Sequence, residues 1–228
     1  MSALREVLAA AALVAGKDLR IEARSRVATN HVLPFVAVVV MLFAFALDTE
    51  ATTLRRAAGG LFWVTVVFAA VLVVQRGAQL EQQDGAGEAL RLSGLRPAGV
   101  FLGKGAALFV ELMVVEVVLA VAMVVLYDLR LGGVVLLVVT AVVATAAIAA
   151  AGAIYGPLVA GLSGRETVLP LLLLPVLAPV LLAASRAFEV ALGRGVGSGW
   201  PWVGMLGMLC GIYVVLGALT SGPLLDET

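Results

Sequence analysis

Glu111 and Glu116 stand inside a long apolar run. An ionisable group held that far from water is costly, so it marks a polar contact within a bundle, a proton or ion relay, or a substrate path. Five positions apart on a helix means about 140° of rotation, so the two carboxyls point to different faces. Lys104 and Glu111, seven apart, share a face but are separated by about 10 Å of rise. Glu116 lies near the middle of its run and is the better candidate for a contact inside the bundle. A hydrogen-bonded packing residue is the other reading of that position.

The remaining chemistry-bearing residue types are sparse. His31 is the only histidine and Cys210 the only cysteine, so there is no intramolecular disulfide and no multi-cysteine metal site. A lone histidine at the start of an apolar run reads as an interface residue before it reads as a haem ligand. Trp200 and Trp202 lack the acidic and glycine context of a haem-handling motif and read as anchors. No G-x-x-x-x-G-K-[ST] loop occurs, nor H-E-x-x-H or G-x-S-x-G. The chain is therefore not expected to be an enzyme, and any ATP hydrolysis it uses belongs to a separate subunit. Lys and Arg equal Asp and Glu at 15 each, which argues against nucleic acid as a partner.

The elements that must position these residues are membrane helices. Of 228 residues, 62% are apolar and only 13% charged, where a soluble domain would carry about a quarter charged. Six apolar runs, at about 28–47, 57–74, 105–127, 131–159, 168–184 and 200–219, approach the roughly 20 residues needed to cross a bilayer core. The expected fold is all-α and polytopic: six transmembrane helices in a single domain over 1–228. Residues 1–31 are expected to form an interfacial helix, with Leu4, Val7, Leu8, Val14 and Ile21 at helical spacing opposite Lys17, Arg20 and Arg24. A solvated flank that orients the first span is compatible with the same pattern. The apolar run at 7–16 could be the core of a signal peptide, but it leads directly into a basic stretch and a second apolar run, so it is expected to be retained.

Lys and Arg distribution sets the orientation. With the N-terminus inside, ten of the 15 fall in inner segments, so both termini are expected in the cytoplasm. Trp63, Trp200 and Trp202 then fall near the outer face as anchoring indoles. The long inner connection, 75–104, is expected to hold a short helix over 86–93, capped by Asp84 and ended by Gly94, with Pro97 preventing its resumption. Such a helix suits a groove on a partner, although an ordinary interfacial loop would show the same pattern. Pro170, Pro175 and Pro179 each remove a backbone donor from the fifth span, which is expected to kink. Gly152 with Gly156, and Gly207 with Gly211, permit close helix approach, within one chain or across a homodimer.

Taken together, the basic N-terminus, the six spans and the helical inner loop resemble permeases of the ABC-2 export type. More specifically, the chain resembles the haem exporter protein B (CcmB) family of cytochrome c maturation. The resemblance is carried by Arg76 with Glu81, Asp84-Gly85, Glu88 with Leu90, then Ser93, Pro97 and Lys104, and by the segment 165–184. It implies a multi-pass permease of the bacterial inner membrane. Its coupling loop would use Arg76, Glu81, Asp84, Gly85, Glu88, Leu90 and Pro97 to meet a CcmA-like ABC ATPase, which holds the ATP. It also implies CcmC-like, CcmD-like and CcmE-like partners, with haem as cargo or ATP-driven release of the haem-loaded chaperone as the work done. A proton- or ion-coupled carrier using Glu116, and a non-transporting scaffold of a haem-handling complex, are the alternatives.

Overall fold

Runs of Val, Leu, Ala and Phe that must hide their backbone polar groups from hydrocarbon have one local solution, the helix. In the computed structural model all the regular structure among the described residues (2–25, 30, 32–46, 51–83, 94–127, 132–160 and 165–227) is helical. The helices are α1 (Ser2–Ser25), α2 (Leu33–Ala46), α3 (Ala51–Gln83), α4 (Pro97–Tyr127), α5 (Val134–Ala160), α6 (Arg165–Ala191) and α7 (Trp200–Glu227).

Five of them, α3 to α7, are long and apolar enough to cross a membrane. The expected first span is represented by α2, whose 14 residues reach only about 21 Å, short of a core of about 30 Å. The residues flanking α2, 26–29, 31 and 47–50, lie outside those described.

Consecutive long helices alternate in direction. Arg55 Nε, near the start of α3, donates to the Tyr127 carbonyl at the end of α4 at 3.2 Å. The Gly133 amide, just before α5, donates to the Ala191 carbonyl at the end of α6 at 2.8 Å. In this bundle α3 and α5 are central and α7 peripheral: 67% of the apolar window of α3 is buried, against 17% for α7. Val66, Leu112, Val115, Leu119, Ile148 and Leu177 fill the core, while Val125, Leu171 and Leu219 remain exposed on the outer faces. That distribution suits helices whose outward sides meet lipid.

Small residues set the helix spacing. A Cβ on Gly152 would come within 2.8 Å of Val74 and one on Gly156 within 3.2 Å, so these two glycines seat α5 on α3 inside one chain. Nothing lies within 4 Å of Gly207 or Gly211, whose face on α7 is open. Trp63 does not anchor the outer face: it is fully buried. Its ring sits 5.3 Å from Phe62 and 5.1 Å from Phe188, closing the seam between α3 and α6. Its ring neighbours on α3 and α6 are apolar, and its buried Nε1 has no hydrogen-bond partner among the described residues, so the indole serves packing rather than an interface. Trp200 is the exposed indole.

α6 continues through Pro170, Pro175 and Pro179 from Arg165 to Ala191. Pro179 cannot donate to the carbonyl of Pro175, four residues back, which loosens the ladder at that turn. Tyr213 Oη of α7 donates to the adjacent Val176 carbonyl at 2.6 Å, so a neighbouring helix satisfies backbone beside the proline.

Candidate functional site

The connection between α3 and α4 is shorter than its polar sequence suggests. Residues 75–83 continue α3, and Pro97 opens α4 rather than closing off a loop. Proline suits that first helical position because its missing N–H would have no intrahelical acceptor there. The Arg96 carbonyl accepts from the Gly99 amide at 2.9 Å and the Val100 amide at 3.2 Å, completing the start of α4. Gly94 has a φ of 65°, the left-handed conformation that commonly follows a helix end. Asp84, Gly85, Glu88 and Leu90, with the helix expected over 86–93, lie outside the described residues.

Of the remaining coupling-loop candidates, Arg76 and Glu81 are both on the last turns of α3. Arg76 Nη1 donates to Gln79 Oε1 at 3.2 Å, one turn on, and its buried Nε has no hydrogen-bond partner among the described residues. The expected loop residues are thus split: Arg76 and Glu81 at the end of one span, Pro97 and Lys104 at the start of the next.

α1 is fastened along that second span. Glu6 pairs with Arg96 at 2.8 Å. One turn on, a Cβ at Gly99 would approach Ala10 Cβ at 2.7 Å; a further turn on, one at Gly103 would lie 2.7 Å from both the Ala11 carbonyl and Val14 Cβ. Because contacts advance together along both helices, α1 and α4 run parallel and in the same direction. Only glycine leaves room for the two backbones to approach this closely. The apolar side of α1 is consequently divided: Ala10 and Val14 are buried against α4, while Leu4 and Leu8 stay exposed.

Glu111 and Glu116 diverge as their spacing requires. Glu111 lies towards Asp18 and Glu22 of α1, whose charges it feels. Asp18 is itself paired with Lys17 at 2.8 Å. Glu116 turns inward and is 2% exposed. Its Oε1 accepts from Thr145 Oγ1 of α5, while its Oε2 is buried with no hydrogen-bond partner among the described residues. Thr140, also on α5, likewise has a buried hydroxyl without a partner. A half-satisfied carboxyl between the two helices is a costly group to keep in the core.

Neither Thr145 nor Tyr213 was singled out by sequence reasoning. A threonine among alanines and a lone tyrosine among valines are the residue types that carry a polar tip into an apolar span, and that was the available signal.

A helical bundle of this composition, with a closed core and apolar outer faces, defines a polytopic membrane protein. The chain belongs to the CcmB protein family, which it matches over residues 9–223. It is similar to the protein named Heme exporter protein B of Haemophilus influenzae, 28% identical over 207 residues that cover 91% of this chain and 90% of that one. The protein of the same name from Pseudomonas aeruginosa is 26% identical over 211 residues, 92% of each chain. That of Rhodobacter capsulatus is 28% identical over 203 residues, 89% of this chain and 91% of its own.

Proposed function

We propose that this chain is the membrane permease subunit of an ABC transporter for cytochrome c biogenesis, exporting haem or driving ATP-dependent release of a haem-loaded chaperone. The observation that carries the reading is the match to the CcmB family over nearly the whole chain, with relatives named as haem exporters. In this reading ATP hydrolysis belongs to a CcmA-like partner, in keeping with a sequence that carries no nucleotide-cradling motif. CcmC-like, CcmD-like and CcmE-like proteins complete the assembly, in the bacterial inner membrane with both termini cytoplasmic. The connection from Asp84 to Arg96 is where the ATPase docks, because movement there acts directly on α3, α4 and, through Glu6 and Arg96, α1. Co-purification of the ATPase with a Glu88→Ala/Leu90→Ala variant tests this. Lost association or lost stimulation of hydrolysis, with an intact membrane domain, is the expected result; unchanged association and hydrolysis would sink it.

Glu116 favours a second reading, a proton- or ion-coupled carrier, because its carboxyl is buried with one oxygen unpartnered among the described residues. Transport that follows pH, survives loss of the ATPase and disappears in Glu116→Gln would select it over the first.

A further inference from the structure

At the end of the bundle opposite the Asp84 to Arg96 connection, Arg55 and Arg56 of α3, Glu189 of α6 and Arg194 of the following turn line an open depression of about 440 Å³. Three guanidiniums face one carboxylate, and that carboxylate is already engaged by Arg186 at 3.0 Å. Neither Arg56 nor Arg194 has an ion-pair partner among the described residues.

Local backbone holds the cluster in place. Arg55 is tethered through its Nε to the Tyr127 carbonyl. Gly193, at a φ of 74°, turns the chain back so that the Arg194 and Gly195 amides both donate to the Glu189 carbonyl, at 2.8 and 2.9 Å. Arg194 is therefore held over the end of α6 rather than left on a free loop. Its pKa is drawn below the ordinary value, first by desolvation and then by Arg55 and Arg56. Like charges gathered this closely repel, and an added anion relieves that cost.

We propose that this depression binds the oxyanion of an amphiphile, a carboxylate or phosphate whose apolar body lies against the bundle. The oxyanion follows from the planar, forked donors of Arg56 and Arg194. The amphiphile follows from position. Arg55 and Arg56 stand at the very start of the apolar span of α3, and Val134 and Val196, beside the same turn, are exposed. A ligand held there has its charged end at the guanidiniums and its apolar part beside them.

The test uses the purified full chain in phosphatidylcholine nanodiscs, with two probes. The first compares haem with haem dimethyl ester, which lacks free carboxylates; this arm rests on the haem reading above. The second titrates in phosphatidylglycerol and needs no such reading. Arg56→Gln/Arg194→Gln should weaken at least one probe tenfold or more, while Arg5→Gln, next to the Glu6–Arg96 pair at the far end, leaves both unchanged. Loss confined to free-acid haem assigns the site to a carboxylate, and loss confined to phosphatidylglycerol assigns it to a lipid phosphate. Arg56→Lys/Arg194→Lys, which retains the charge but not the fork, should bind with intermediate affinity and the parent thermal midpoint. If the glutamine variant is folded by that midpoint and binds both probes as the parent does, the proposal is overturned. Parent-like phosphatidylglycerol capture that needs the arginines, beside no haem binding at all, would retain the site while counting against haem as cargo.

Discussion

Thr145 of α5 donates its hydroxyl to Glu116 of α4 in the interior of the bundle. This bond joins two helices within a mostly apolar core, so it specifies how α4 and α5 meet more sharply than packing alone.

Glu116→Ala should lower stability by about 1–3 kcal/mol, since it strands the Thr145 donor and opens a void. Glu116→Gln keeps an acceptor for Thr145 and should match the parent. Thermal unfolding in one detergent compares the three, and equal midpoints for alanine and parent would show that the bond contributes nothing.

Gly103→Leu should separate α1 from α4, because even a Cβ at that position would lie 2.7 Å from the Ala11 carbonyl. Overpacking of this kind costs about 1–3 kcal/mol. Crosslinking by a short bis-maleimide between cysteines placed at Glu6 and Arg96, in a Cys210→Ser background, reports the contact directly. It should be efficient in the parent sequence and fall sharply in the leucine variant.

Tyr213→Phe removes the hydroxyl that reaches the Val176 carbonyl, a loss of about 0.5–1.5 kcal/mol. In a Pro179→Ala background the helix can close its own ladder, so the same substitution should cost less. A double-mutant cycle measures the difference; strict additivity would mean that the tyrosine does not compensate the proline.

Trp63 and Trp200 should divide by burial. Trp63→Ala is expected to cost about 3–5 kcal/mol, as for other large core truncations. Trp200→Ala should change stability by about 0.5 kcal/mol or less, the usual range for exposed positions. Similar losses at both sites would contradict the packing of Trp63 against Phe62 and Phe188.

The helical, membrane-spanning architecture was legible because the apolar runs are long and sharply bounded, and the opposite facing of Glu111 and Glu116 followed from helical rotation alone. The limits of the connection were not. Gln75, Arg76 and Glu81 are polar enough to suggest a loop, yet helical hydrogen bonding continues through them to Gln83, as hydropathy cannot report where a helix leaves the membrane. Trp63 misled for a related reason: an indole near the end of an apolar run serves an interface or a core equally well, and Phe188, which decides the matter, is distant in sequence. The contacts of Gly99 and Gly103 with α1 were hidden in the same way, since a glycine pair does not name the helix it receives.

At 31 residues, α4 is about 46 Å long against a hydrocarbon core of about 30 Å. With α4 held close to the bilayer normal, several of its turns project beyond the lipid, and α1 lies along its first turns, from Glu6 at Arg96 to Val14 at Gly103. The projecting end is thus a splinted post rather than a single bare helix. A force applied at Pro97 tilts two helices as one stiff body, and the buried Glu116, farther along the same post, moves with them.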